Sequence, residues 1–150
     1  MTFMDNAPII VETLFNAPAN EVWKAITQPQ SMKEWYFDIA EFKALPGFEF
    51  KFYGGSEEKK YLHLCEVVEV ETAKKLSYSW KYNGYPGDTL VTFELFDEGA
   101  KTRLKLTHEG LESFPQDIPD FKKENFGEGW TQIIGTNLKE YVERIANNES

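Results

Sequence analysis

A chain of 150 residues, 41% hydrophobic and 15% aromatic, can bury a sizeable core, which excludes a disordered or low-complexity protein. Its formal net charge of −9 repels phosphate backbones and anionic lipid surfaces. Lysines cluster only as isolated doublets (Lys59-Lys60, Lys74-Lys75, Lys122-Lys123), so no nucleic-acid partner is expected.

Pro8 to Asn16 reads as a first strand by its alternation. A short helix follows, with Pro18 at its first position and Val22, Trp23 and Ile26 as its apolar face. Pro29 stops it and opens a second short helix, Gln30 to Trp35. Strands are then expected at Ile39–Ala44, at Phe48–Phe52 after a Pro46-Gly47 turn, at Tyr61–Val70 and at Leu76–Tyr82. Two more are expected at Val91–Leu95 and Leu104–His108, joined through Asp97-Glu98-Gly99. The connection Gly110–Asp120 is apolar for a loop, with Leu111, Phe114, Pro115, Ile118 and Pro119, and should lie over the mouth of whatever the sheet encloses. From Phe121 to Ile145, apolar residues recur at steps of three and four, the pattern of one long amphipathic helix. A curved antiparallel sheet of six or seven strands gripping that helix is the expected α+β architecture. The whole chain, 1–150, is read as one domain with 1–7 and 147–150 frayed, and a hydrophobic cavity is expected between sheet and helix.

Cys65 is the only cysteine, so no intrachain disulfide can form. No apolar run reaches the length of a membrane span, and Met1–Pro8 lacks the pattern of a signal peptide. A cytoplasmic location without membrane insertion is therefore expected.

Several stretches together carry a resemblance. Phe15-Asn16-Ala17-Pro18, Val22-Trp23-Lys24-Ala25-Ile26-Thr27, Pro29 and Trp35 resemble the opening of the START-like (SRPBCC) superfamily. Val67–Val70 leading to Leu76–Trp80, then Thr102–Leu111 and Gly129-Trp130, are similar to the AHSA1-type family, named after the C-terminal domain of the activator of heat shock protein 90 ATPase. The resemblance covers nearly the whole chain and implies a helix-grip (START/Bet v 1-like) fold with a hydrophobic cavity. Cys65 stands where that family often has Gly, and a Pro common after Glu69-Val70 is absent.

His63 and Cys65 share a strand face, but nothing nearby supplies an oxyanion hole, and structural filling is the stronger reading for both. His108 continues the inward series of Leu104 and Leu106 to the start of the apolar connection. It is a candidate ligand anchor or acid/base group, against the plainer reading of a strand-end structural histidine. Tyr78, Trp80 and Tyr82 line one strand face and could form a cavity wall with Phe52 and Phe93. Trp35 is placed at the rim, Phe114 in the lid, Trp130 between helix and sheet, and Trp23 in the core.

Neither metal-ligand spacing nor a phosphate loop or cofactor fingerprint is present, so no cofactor is expected. Three roles remain open: a carrier of a hydrophobic or aromatic small molecule, a cyclase- or aromatase-type enzyme on the same scaffold, or a protein-interaction module. A homodimer or chaperone contact stays open with the last. A cavity below roughly 300 Å³ would favour the interaction module.

Overall fold

The computed structural model describes residues 7–55 and 59–148, with side chains through 146. The fraying expected at 1–6 and 149–150 lies outside the described residues. Strand β1 (Ile9–Phe15) leads to α1 (Ala19–Thr27) and α2 (Pro29–Trp35). Five strands follow: β2 (Glu49–Gly55), β3 (Lys60–Glu71), β4 (Lys75–Tyr82), β5 (Thr89–Glu98) and β6 (Lys101–Glu109). Two single 3₁₀ turns, Leu111–Ser113 and Pro119–Phe121, carry the chain to the C-terminal helix. That helix comprises α3 (Lys123–Gln132), a π segment (Ile133–Leu138) and α4 (Lys139–Asn148).

All strands pair antiparallel in one sheet of order β1-β6-β5-β4-β3-β2. Strands β2 to β6 form a meander, and β1 closes the far side against β6. A register shift between Val67 and Glu69 marks a bulge in β3, and bulges bend a strand. Alternation is strict where it matters, as in β2, whose burial runs exposed–buried along its whole length.

Three expectations change. Ile39–Ala44 is irregular chain, so the sheet of the described residues has six strands, the lower of the two numbers expected. Its apolar residues enter the core at Ile39 and Phe42, a spacing of three that a strand's period of two cannot serve. Pro18 sits one residue before α1, where its carbonyl accepts the N–H groups of Glu21 and Val22 at 3.0 and 3.3 Å. Trp23 is half-buried at the edge of the core rather than within it.

The C-terminal helix buries Trp130, Ile134, Leu138 and Val142, each four residues after the last. At 3.6 residues per turn, a step of four overshoots one turn by about 40°, so this stripe would wind away from the sheet on a regular helix. The π segment closes its bonds one residue later and swings the stripe back.

Candidate functional site

The inner face of the sheet is a wall of rings. Strand β4 turns Tyr78, Trp80 and Tyr82 inward, β2 adds Phe50 and Phe52, β3 adds Tyr61, His63 and Cys65, and β5 adds Phe93. Trp80 lies at the centre, with ring centroids of His63 at 4.8 Å, His108 and Trp130 at 5.5 Å, and Phe52 at 5.8 Å. Tyr36 and Phe37, just after α2, close the space from the helix side, Phe37 lying 4.6 Å from Phe52. Their approach depends on Gly54: a Cβ there would stand 2.7 Å from Phe37 and 2.9 Å from His63. Among the described residues, Tyr78, Trp80, Phe93, His108 and Trp130 line none of the five recesses found at the β2–β3 face, beside β1, at the β3–β4 turn, at the β2–β3 end and between α1 and α4.

At one end of this interior His108 is fully buried and both its nitrogens are engaged. Trp130 Nε1–H donates to Nδ1 at 3.0 Å, and Nε2 lies 2.9 Å from Thr89 Oγ1. The Thr89 hydroxyl donates to the Trp80 carbonyl at 2.7 Å, so it accepts from His108, which fixes the Nε2–H tautomer. The relay runs Trp130, His108, Thr89, Trp80 backbone with every donor matched. Burial pushes the imidazole pKa down to about 3, so it is neutral. A ligand could engage His108 only by breaking this chain. Trp130 thus docks the helix through a hydrogen bond as well as through its ring.

The other end is less closed. A crevice of about 200 Å³ opens between the β2–β3 end and the turn at Pro119–Phe121, lined by Gly54, Gly55, Lys59, Tyr61, His63, Tyr82, Asp120 and Phe121. The Tyr61 hydroxyl donates to Asp120 Oδ2 at 2.5 Å and latches the turn to β3. Lys59 stands 5.3 Å over the Tyr61 ring. His63 Nδ1 donates to the Tyr61 carbonyl at 3.0 Å, and burial lowers its pKa to about 4 against that bond and a backbone hydrogen bond with Phe52. Burial raises the Tyr82 phenol, partly countered by the Trp80 indole N–H, which is directed at its hydroxyl oxygen but falls short of full hydrogen-bond geometry. Trp80 Nε1 itself is buried and makes no hydrogen bond.

The remaining expected residues fall around these two ends. Phe114 is buried against Tyr82, Phe121 and Phe126, at 5.2, 5.6 and 5.7 Å. Gly87 admits it, because a Cβ there would collide with the Phe114 ring. Ser113 pins the same segment, its hydroxyl accepting from Asp88 N at 2.9 Å and donating to the Gly110 carbonyl at 2.7 Å. Trp35 is buried, donates from Nε1 to the Ala25 carbonyl at 2.8 Å, and ties α2 to α1. Cys65 faces inward without a bond to His63, and burial raises its thiol pKa, so the pair is no thiolate nucleophile. Sequence reasoning missed Tyr36, Phe37, Tyr61, Asp120 and Phe121. The run Trp35-Tyr36-Phe37 was the available signal, since three consecutive rings after a short helix need somewhere to be buried. Tyr36 and Tyr78 share a hydroxyl–hydroxyl hydrogen bond of 2.7 Å, and burial raises both phenols. Among the described residues no His, Cys, Asp and Glu group could hold a metal ion, and no helix is long and apolar enough to cross a membrane.

Comparison with known proteins extends this picture. The yeast Saccharomyces cerevisiae Hsp90 co-chaperone AHA1 is 25% identical over 138 residues, 87% of this chain. The chain spans 37% of that protein's length. Protein CV1439 from Chromobacterium violaceum has the same fold, with a TM-score of 0.78 at 24% identity over 93% of this chain and 99% of its own. CalU16 from Micromonospora echinospora superposes with a TM-score of 0.68 at 23% identity, covering 95% of this chain and 82% of CalU16. The family model described as activator of Hsp90 ATPase homolog 1-like protein matches residues 16–143, and the chain belongs to that family.

Proposed function

We propose that the protein binds a small, uncharged aromatic molecule at the mouth crevice, with its ring entering the aromatic interior beside Trp80. The observation that carries this reading is the Trp80 indole N–H, a buried donor without a well-formed hydrogen bond, which lies behind the His63 and Tyr82 side chains that line the crevice. An orphaned donor costs about 1–3 kcal/mol, which a ligand carbonyl or hydroxyl would recover. Five polar groups converge at the opening: His63, Tyr82, Tyr61, Asp120 and Lys59. A volume of about 200 Å³ holds what roughly six or seven waters occupy, so the ligand is of one-ring size unless Phe114 and Phe121 move. A cyclase-type enzyme is less well supported. Neutral His63, at about pKa 4, and a tyrosine raised by burial are both far from the neutral pH at which acid/base groups work best.

Native mass spectrometry before and after organic extraction tests the binding reading. A co-purifying mass of one-ring size, lost in a Trp80→Phe variant that still folds, supports it. An unchanged bare mass, together with no uptake of one-ring phenols, counts against it.

A second reading, contact with an Hsp90-type chaperone, is favoured by the likeness to the yeast co-chaperone and by the crevice being smaller than most ligand sites. It predicts that the purified chain changes the ATPase rate of a purified Hsp90-type chaperone. No change at saturating chain would remove it.

A further inference from the structure

The β1 edge is sealed at one end and, among the described residues, open at the other. Lys139 Nζ donates to the Leu14 carbonyl at 2.8 Å, and Asn16 N donates to Glu143 Oε2 at 2.8 Å. Glu143 Oε2 also accepts from Lys139 at 2.7 Å, so α4 covers the last outward backbone groups of this edge. In an antiparallel pair, alternate residues point both backbone groups at the neighbouring strand and the others point both away. Leu14 points away from β6, and therefore so do Ile10 and Glu12. Their outward N–H and C=O groups have no partner among the described residues. Beside them runs a groove of about 560 Å³, floored by Ile9, Ile10 and Val11 and walled by Glu124, Gly127, Glu128, Thr131, Gln132 and Thr136. Ile10 is 51% exposed. Gly127 leaves the wall open, with nothing within 4 Å of where its Cβ would stand.

We propose that this groove receives an extended, basic peptide segment of a partner protein, which pairs with the Ile10–Glu12 stretch as a seventh strand. Strand addition supplies the missing hydrogen bonds, and side chains at alternate positions supply specificity. Glu124 and Glu128 face the groove without an ion pair among the described residues, so lysine or arginine on the incoming strand has a partner. Lys105 lies opposite Glu12 on β6 and offsets that carboxylate alone. An apolar residue of the peptide covers Ile10. A second copy of this chain is a poor occupant: β1 reads IIVETLF, with Glu12 its only charge, and two chains of net charge −9 repel.

The test uses three synthetic peptides: acetyl-Val-Lys-Val-Lys-Val-Thr-amide, its Glu-for-Lys counterpart, and a version with proline in place of the central valine. Binding is read from amide resonances and hydrogen exchange of isotope-labelled protein. The free protein should exchange the Ile10 and Glu12 amides quickly although they lie within a strand. The lysine peptide should shift both resonances and slow their exchange by at least about tenfold, and the other two should not. Glu124→Lys with Glu128→Lys should weaken binding by at least about tenfold. Gly127→Leu should abolish it while keeping or raising the melting temperature, because leucine is the better helix former. Equal binding of both charge types, shifts confined to other strands, or full binding by the Gly127→Leu variant would each overturn the proposal. So would a peptide-free dimer that already protects Ile10 and Glu12.

Discussion

Two histidines face the same aromatic interior, and their surroundings differ in a way that separates structure from site. Around His108, the Trp130 indole, the Thr89 hydroxyl and the Trp80 carbonyl satisfy one another in a closed relay. Around His63, backbone groups of Tyr61 and Phe52 hold the ring, the ring edges a crevice, and the adjacent Trp80 N–H makes no well-formed hydrogen bond. Both imidazoles are buried and both are held neutral. Burial and a shifted pKa therefore do not separate the two ends; the proposed site rests instead on an unfilled hydrogen-bond valence behind the crevice wall.

The largest expected effect strikes the closed end. Trp130→Ala removes a fully packed ring and strands His108 Nδ1, and should cost about 3–5 kcal/mol of stability. Chemical denaturation checks it, and a loss below about 1 kcal/mol would mean the relay contributes little to the fold.

The strands and the long helix were legible in the sequence because alternation and the steps of three and four follow directly from backbone geometry. The inward placement of His108 was legible for the same reason. Its bonds were not, since Thr89 and Trp130 lie 19 and 22 residues away and meet it only through strand pairing and helix docking. The crevice was less legible still. Tyr61 and Asp120 are 59 residues apart and are joined by the path of an irregular connection that no periodicity encodes. Ile39–Ala44 misled because apolar residues in a loop can serve a core without serving a ladder. The open edge beside Ile10 depended on which helix residues reach β1, again a matter of docking.

Acid should expose the two histidines next. Their folded pKa values, about 4 and about 3, lie below the ordinary 6.5, so the unfolded chain takes up protons first as pH falls. Their neutral forms cost nothing above about pH 6.5, and stability should fall progressively from there toward pH 4, by on the order of a few kcal/mol. Urea denaturation at pH 7 and pH 4.5 reads this. A flat profile over that range would mean the rings are more solvated than the structure has them.

A smaller effect distinguishes the two indoles. Trp130→Phe and Trp80→Phe remove the same atoms from equally buried sites, but only the first removes a satisfied donor. Trp130→Phe should be the more destabilising by about 1–3 kcal/mol. Equal losses would mean Trp80 already has an acceptor, such as the Tyr82 hydroxyl, and the crevice would lose its main claim to be a site.

The most direct measurement of that claim is the Trp80 indole N–H resonance during titration of labelled protein with a neutral hydroxyphenyl ketone. The peak is assigned by its absence from Trp80→Phe. It should move downfield with ligand, with a dissociation constant from roughly the high micromolar to the millimolar range expected of about ten non-hydrogen atoms, while the Trp130 indole peak stays in place. A Trp80 peak that never moves, or shifts confined to the outer face of the sheet, would contradict the assignment of the crevice as the ligand site.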